Sequence, residues 1–552
     1  MNDRDPPWEQ AGTPATDHPL ASGPRKAQPE DGSAAQVVIT ASLILLVGNF
    51  ASRVLGWLRL AVIGAQFGPG RELDAYFAAF RIPDVIFQLV VAGTLFTAFI
   101  PVFVSYRARK EEAEAWRVAS SVVNLMVLGL ALFSLVLAIF APFFVPLVAP
   151  GFDAPTTELT VRMTRLMLLS PFFIGLGATV SAILNGYDEF TIPTLAPLVY
   201  NVAIIAAAVF LAPILGVEAL AIGVAVGALG HLLVQMPKLL RVSGRYELII
   251  HLRHPGVVEV ARLMAPRTFG LAATQANFVI STILASSLPV GSVTDFNYAF
   301  QLSQVPVALV GVSIAVALFP TLSRTAAVGR VDEVRRQVAG SLRIMFFVAA
   351  PLTAILIVLR EPTTAVFYQY GAFGARAAAD TADALMFFSL ALFAQSWVQV
   401  VARAFYALHD STTPVVWAVV AVVVDVGLML WLINPMGISG LALALSLSAV
   451  VEVLGLIWML HRRLGSLELG SITRAAALAS VAAAAGGAVM FLGLRAIAAA
   501  APPLLQGGLT RIVVLAVLAG AGMFAYLASA RVLRVDELPR TWELLQRGRH
   551  RA

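Results

Sequence analysis

Residues 412–433 read Thr412-Thr413-Pro414-Val415-Val416-Trp417-Ala418-Val419-Val420-Ala421-Val422-Val423-Val424-Asp425-Val426-Gly427-Leu428-Met429-Leu430-Trp431-Leu432-Ile433. An apolar run of this length with a single charge is what an α-helix needs to cross a hydrocarbon core of about 30 Å. The run is one of many. From residue 37 onward the chain divides into fourteen such stretches: 37–66, 73–105, 118–148, 160–185, 191–213, 216–240, 256–286, 291–323, 337–359, 379–408, 412–433, 436–460, 473–497 and 509–531. Over its 552 residues, 59% are hydrophobic and only 13% charged, and the mean hydropathy is +0.84. Soluble domains run at about 45–50% apolar and about 25% charged. The composition therefore excludes a soluble protein and predicts an all-α, polytopic membrane protein of about fourteen transmembrane helices.

The chain has no Cys, which excludes disulfide scaffolds, thiolate chemistry and Cys-ligated zinc or iron–sulfur sites. The net charge of +6 would raise nucleic-acid binding in a soluble protein. Here the basic residues lie in short loops between apolar runs, so no nucleic-acid partner is expected. With the N-terminus placed in the cytoplasm, the cytoplasmic segments hold 24 basic residues, among them Arg107, Arg109, Lys110, Lys238, Arg241, Arg335, Arg462 and Arg463. The opposite side holds seven: Arg71, Arg162, Arg165, Arg360, Arg376, Arg495 and Arg511. The positive-inside rule thus puts both termini in the cytoplasm, with an even number of spans. Residues 1–36, rich in Pro and polar residues with few large apolar ones, read as a disordered cytoplasmic tail rather than a signal peptide.

The chain also repeats. Ala75-Tyr76-Phe77-Ala78-Ala79-Phe80-Arg81-Ile82-Pro83 matches Asn297-Tyr298-Ala299-Phe300-Gln301-Leu302-Ser303-Gln304-Val305-Pro306. Phe99-Ile100-Pro101 matches Leu318-Phe319-Pro320, and Asp188 to Pro193 matches Asp410 to Pro414. All three matches share a spacing of about 220 residues. The predicted organisation is a first six-helix half over 37–240, a basic linker over 241–255, a second six-helix half over 256–463, two further helices over 464–533 and a basic tail over 534–552. An even-numbered repeat relates the halves by an axis along the membrane normal and places a substrate path between them. That is the plan of an alternating-access transporter.

Ionisable residues inside spans are costly and point to function. Arg53 and Arg59 lie about 20 and 10 Å from the far end of span 1, and Arg81 and Asp84 about 12 and 16 Å into span 2. Arg267 lies about 16 Å into span 7. Arg53 is expected to pair with Asp84, and the arginines to line a central cavity suited to pyrophosphate or carboxylate through bidentate bonds. Arg165, Arg343 and Arg403 fall near span ends and read as interfacial anchors. Asp425 lies about 20 Å into span 11 and is a candidate for binding Na⁺ or exchanging a proton. No HExxH, phosphate-cradling Gly loop or paired-carboxylate motif occurs, and His231, His409 and His461 stand alone. The chain reads as a transporter, not an enzyme.

Several motifs together resemble the MurJ (MviN) family of lipid II flippases in the MOP exporter superfamily. They are Ser52-Arg53-Val54-Leu55-Gly56-Trp57-Leu58-Arg59, Phe67-Gly68, Asp74 to Pro83, Ala182 to Gly186 with Phe190, Pro193, Pro197 and Asn201, and Ala402 to Leu408 with Asp410, Thr413 and Pro414. The resemblance covers nearly everything after residue 37. It implies a bacterial inner-membrane carrier that moves lipid II, the undecaprenyl-pyrophosphate-linked muropeptide, from inner to outer leaflet for cell-wall biosynthesis. It implies a cationic headgroup cavity in which Arg53, Arg59 and Asp74 match family positions, and a lipid-tail groove involving the last two spans. Phe87-Gln88 and Gln301 stand where the family often has Arg; Arg81 and Arg267 are our substitutes. The resemblance further implies a Na⁺ site with Asp425 as one ligand and Ser281 and Ser446 near others, although Met429 stands where a second polar ligand is expected. Na⁺, H⁺ or the membrane potential would then drive transport, with no other cofactor. Partners would be lipid II, membrane lipids and cell-wall synthesis proteins. The alternatives are an exporter of another polyprenyl-linked saccharide and a non-transport scaffold for cell-wall enzymes.

Overall fold

A computed structural model describes residues 31–89, 95–242, 244–505 and 507–539, with side chains from residue 47 onward except 95–97, 265–267, 269–270 and 273. Most of the two expected tails, residues 1–30 and 540–552, lies outside the described residues. The helices are α1 (Asp31–Phe67), α2 (Arg71–Phe87), α3 (Leu95–Ala108), α4 (Glu112–Ile139), α5 (Ala141–Val148), α6 (Ala154–Met167), α7 (Leu169–Gly186) and α8 (Thr191–Ala206). They continue with α9 (Ala212–Leu215), α10 (Glu218–Leu233), α11 (Met236–Leu239), α12 (Pro255–Ser286), α13 (Ser292–Val307), α14 (Ser313–Ala327), α15 (Val331–Val358) and α16 (Arg360–Tyr368). The last are α17 (Ala375–Ser389), α18 (Leu392–Ala407), α19 (Thr412–Met436), α20 (Ile438–Leu464), α21 (Leu469–Ala500) and α22 (Gly508–Val532). Among the described residues every regular element is helical.

The reason is solvent. In hydrocarbon a backbone N–H or C=O has no water to bond, so each apolar run satisfies its own polar groups as a helix. Ten helices or continuous helix pairs among the described residues are long and apolar enough to cross a membrane, and α17–α18, bent by 44°, make an eleventh. Their outward faces stay apolar: Ile214 and Val532 are each 81% exposed, Trp431 72% and Phe210 71%. The protein is a polytopic helical membrane protein.

Several boundaries differ from the sequence expectation. α1 opens at Asp31, inside the stretch read as a disordered tail. Span 118–148 is two helices, α4 and α5, broken at Phe140. Pro142 in the first turn of α5 has no N–H to continue the ladder of α4. The bend between Ser389 and Leu392 has no Gly or Pro to announce it.

The element order of α1–α10 recurs in α12–α20. Long α4 and α15 are each followed by short α5 and α16, and then by the consecutive pairs α6–α7 and α17–α18. A π-helical turn follows Pro83 at Gln88-Leu89 and another follows Pro306 at Ala308–Val312. Left-handed backbone turns come in pairs, Gly68 with Gly291, Lys110 with Gly329, Asp188 with His409 and Gly216 with Gly437, each pair about 220 residues apart. We call α1–α10 the first set and α12–α20 the second.

The stretch between the sets is strapped to α4. Ser120 Oγ accepts from Glu247 N at 3.0 Å and Ser121 Oγ from His251 N at 3.2 Å. Asn124 Nδ2 donates to the carbonyls of Glu247 and Ile249 at 3.1 and 2.8 Å. Ser120, Ser121 and Asn124 are buried, so without the strap these groups would stand unpaired at a cost of about 1–3 kcal/mol each. His254 closes the strap: its Nδ1 accepts from Gly256 N at 3.1 Å and its Nε2 meets Glu114 at 3.0 Å. The turn into α19 is fixed by Asp410, which accepts from Thr412 N and Thr413 N at 3.0 Å, from Thr413 Oγ1 at 2.8 Å and from Arg463. Burial works to raise its pKa, but the Thr413 and Thr412 bonds and Arg463 outweigh it and hold the carboxyl below its ordinary value. Its contribution is present at neutral pH and lost as pH falls through that lowered value.

The two sets meet at one end of the bundle. There Ala372 N donates to Ala65 O at 2.7 Å, Tyr298 OH to Leu60 O at 2.8 Å and Gly151 N to Ser286 Oγ at 3.2 Å. Nearby, within the first set, Arg71 and Asp153 form an exposed ion pair at 2.7 Å. Gly68 has φ +65 and lies so close to the Ala372 carbonyl that a β-carbon would collide with it. Gly68→Ala should therefore lower the stability of the purified protein by about 1–3 kcal/mol, read as a lower thermal midpoint. Gly70→Ala, where the backbone is extended and the space open, should leave the midpoint unchanged.

Candidate functional site

The first turn of α13 leaves backbone N–H groups with no partner in their own helix. Asp74, on the first turn of α2 in the other set, supplies the acceptor. Its Oδ2 takes Gly291 N at 2.6 Å, and its Oδ1 takes Thr294 N at 2.8 Å and Thr294 Oγ1 at 2.7 Å. Asp74 is 3% exposed, so this carboxylate is spent on joining the sets and does not line the cavity expected of it. Asp295, at the matching place on α13, accepts instead from Thr381 Oγ1 of α17 at 2.8 Å.

From Asp74 the contact between α2 and α13 runs inward at helical spacing. Phe77 packs edge-on against Tyr298, ring centroids 5.8 Å apart. One turn further, Arg81 Nη2 donates to Asn297 Oδ1 at 3.3 Å, and Arg81 Nε to Thr282 Oγ1 of α12 at 3.0 Å. Arg81 lies 3.9 Å from Asp84, 11% and 23% exposed at the side chain, and 5.5 Å over the ring of Phe278. Gln88 Nε2 donates to Asp84 Oδ1 at 3.4 Å.

Below this seam a cavity of about 520 Å³ opens between the sets. The first set supplies Arg59, Arg81, Asp84, Gln88, Ser170, Tyr200 and His231; the second supplies Gln275, Phe278, Asn297, Phe300 and Gln301. Arg59 stands 6.0 Å over the ring of Tyr200. Arg59 Nε, His231 Nδ1 and Gln275 Oε1 are buried without a hydrogen-bond partner. Unpartnered polar atoms around a cavity are costly unless a ligand or water meets them.

Of the residues expected here, Arg59, Arg81, Asp84 and Gln301 come together. Arg53 does not. It is exposed, lies outside the cavity lining and has no ion pair among the described residues. Arg53 and Arg59 are six residues apart, about 120° around the helix, and of the two only Arg59 is in the lining of this cavity. The expected Arg53–Asp84 pair is replaced by Arg81–Asp84, one helical turn apart. Arg267 belongs to α12, with its side chain outside the described residues. Arg343 is not a bare anchor either: its Nε lies 3.6 Å from the buried Glu537. The sequence reading missed Tyr200, Gln275, Thr282 and Asn297 and set His231 aside. Their one signal was polarity within apolar runs.

Asp425, 1% exposed, accepts from Asn277 Nδ2 of α12 at 2.7 Å. Asp425 Oδ1 and Asn277 Oδ1 make no close hydrogen bond, and the Ser448 hydroxyl of α20 is a further polar neighbour of the Asp425 carboxyl. Ser281, one turn along α12 from Asn277, reaches Met429 Sδ at 3.8 Å. Ser446 turns away, donating to Phe387 O at 2.7 Å. Among the described residues no three His, Asp or Glu side chains converge as a metal site. The two bare oxygens are nevertheless of the kind a hard cation takes.

The profile described as lipid II flippase MurJ matches residues 63–501. The chain is 34% identical over 431 residues to the lipid II flippase MurJ of Burkholderia cenocepacia, covering 76% of this chain and 83% of that one. The chain belongs to the lipid II flippase MurJ family. A solved lipid II flippase MurJ in an inward closed conformation shares the fold at 21% identity, with a TM-score of 0.74, over 90% of this chain and 99% of that one. An inward-facing multidrug-resistance transporter of the MATE family, in the MOP superfamily, matches at a TM-score of 0.65 and 16% identity over 75% and 95% of the two chains. The family's fold is therefore shared with exporters of other cargo.

Asp74→Ala should strip the acceptor from three donors at the first turn of α13. The expected cost is about 2–4 kcal/mol, read as a lower thermal midpoint in detergent. Glu72→Ala, an exposed carboxylate on the same turn, should change it by less than about 0.5 kcal/mol.

Proposed function

We propose that this protein is a lipid II flippase that carries undecaprenyl-pyrophosphate-linked muropeptide across the bacterial inner membrane by alternating access. It is a transporter and not an enzyme. One observation carries the reading: in a member of this family, the guanidiniums of Arg59 and Arg81 face a cavity between two helical sets whose opposite end is closed. Guanidinium offers the planar, permanently charged fork that suits a diphosphate. The neutral amides and aromatic rings of the second set suit a saccharide and peptide, which carry hydroxyl and amide groups.

The fourteen apolar runs coincide with α1, α2–α3, α4–α5, α6–α7, α8–α9, α10–α11, α12, α13–α14, α15, α17–α18, α19, α20, α21 and α22, which supports fourteen spans in two six-span halves plus two. The excess of basic residues on one side supports cytoplasmic termini. The closed end then faces outward and the cavity is reached from the cytoplasmic leaflet. A second, apolar cavity of about 570 Å³ is lined by Phe346, Phe393 and Phe491 on α15, α18 and α21; it fits the polyprenyl tail. α22 adds nothing to that lining. Asp425 and Asn277 would hold the coupling cation, Na⁺ or H⁺, which supplies the free energy of a gradient.

Complementation of a strain depleted of its own lipid II flippase tests the function. The unmodified gene should restore growth, and Arg59→Ala should fail at wild-type membrane abundance; growth of that variant would remove Arg59 from the role. Asp425→Asn keeps shape and removes charge, so lipid II flipping in proteoliposomes should lose its response to a Na⁺ or pH gradient. An undiminished response would leave Asp425 structural.

A further inference from the structure

The hydrogen bonds of Arg81 cross between the sets. Arg81 belongs to α2 of the first set, but its acceptors Thr282 and Asn297 belong to α12 and α13 of the second, as does the Phe278 ring beneath it. Its counter-charge, Asp84, stays with α2. The other cavity guanidinium, Arg59, also belongs to the first set, and its Nε has no partner. Arg81 is thus both a wall of the cavity and the innermost polar tie of the α2–α13 seam, whose other end is Asp74.

We infer that Arg81 is a latch that the cargo itself releases. This rests on the flippase reading above. Thr282 and Asn297 offer neutral oxygens, whereas a diphosphate offers charged ones that add direct Coulomb attraction to the guanidinium and can be met bidentately. A diphosphate entering beside Arg59 competes for the Nε and Nη donors of Arg81 and wins them. Both arginines then hold the ligand from the first set, and the second set loses its ties at Thr282 and Asn297. The seam weakens from the cavity side, and the closed end is free to part. Empty, the carrier keeps the seam shut because the same guanidinium has nothing better to bond. A ligand that binds one state better shifts the equilibrium towards it. The cavity therefore opens outward chiefly when loaded.

The chain has no Cys, so a spin-label pair can be placed cleanly at the closed end. Glu158→Cys on α6 and Arg376→Cys on α17, whose side chains are 74% and 96% exposed, report the separation of the sets by double electron–electron resonance in the full-length, reconstituted protein. Without ligand, Thr282→Val with Asn297→Ala should raise the ratio of long to short distances by roughly five- to tenfold, as expected for losing a net hydrogen bond or two. Lipid II should lengthen the distances in the otherwise unmodified protein, and Arg81→Ala should start open and no longer respond. An unchanged ligand-free distribution in the Thr282/Asn297 variant overturns the latch. So does a full lipid II response in Arg81→Ala. Failure of lipid II to bind the unmodified protein, read by its thermal midpoint, overturns the flippase reading instead, because the ligand-free arm does not depend on it.

Discussion

The carboxylate of Asp74 sets the terms for everything around it. A helix that begins inside a membrane protein presents donors that no water can reach, and α13 begins there. By placing a charged acceptor from α2 on those donors, the chain joins its two sets at the one point where leaving them unjoined is most costly. The aromatic contact of Phe77 with Tyr298 and the guanidinium of Arg81 follow on the same faces of the same two helices. The strength of this seam falls from its closed end, where a buried carboxylate meets three donors, to its cavity end, where an arginine meets two neutral oxygens. That gradient makes the structure firm where it is shut and soft where cargo arrives.

The duplication has been put to unequal use. The sets share many of their turns and breaks and the π-helical turn after Pro83 and Pro306, yet the described arginines of the cavity come from the first set alone. The second answers with Gln275, Asn297 and Gln301. Asp74 and Asp295 occupy matching places but do different work, one capping a helix of the other set and the other accepting from Thr381 within its own. A backbone repeated for packing reasons can diverge at the few side chains that face the interface.

Much of this could be read from the residues. The apolar runs fixed where the helices lie because in hydrocarbon length and hydropathy leave little choice. The repeat was visible because Pro and Gly positions are dictated by backbone geometry. The site was legible only in part. Depth along a helix follows from counting residues, but direction around it depends on neighbours, so counting alone did not separate Arg59, which lines the cavity, from Arg53, which is outside that lining. Asp74 looked like a cavity group because two of its three donors are backbone amides about 220 residues away, which carry no side-chain signature. Thr282 and Asn297 are ordinary polar residues until Arg81 is seen against them. The break in α17–α18 has no residue that announces it.

The strap of residues 244–254 along α4 has a mechanical consequence. Its bonds to Ser120, Ser121 and Asn124 and the His254–Glu114 pair hold residues 247–254 against α4, so the N-cap of α12 at His254 is pinned to the first set. A helix of 32 residues is about 48 Å long, and tilting it by about 10° about one end carries the other through roughly 8 Å. A tilt of α12 about that pinned end would therefore move Ser286, where α12 meets the closed end, much further than the residues near the strap. The connection between the sets would then be the pivot of that motion.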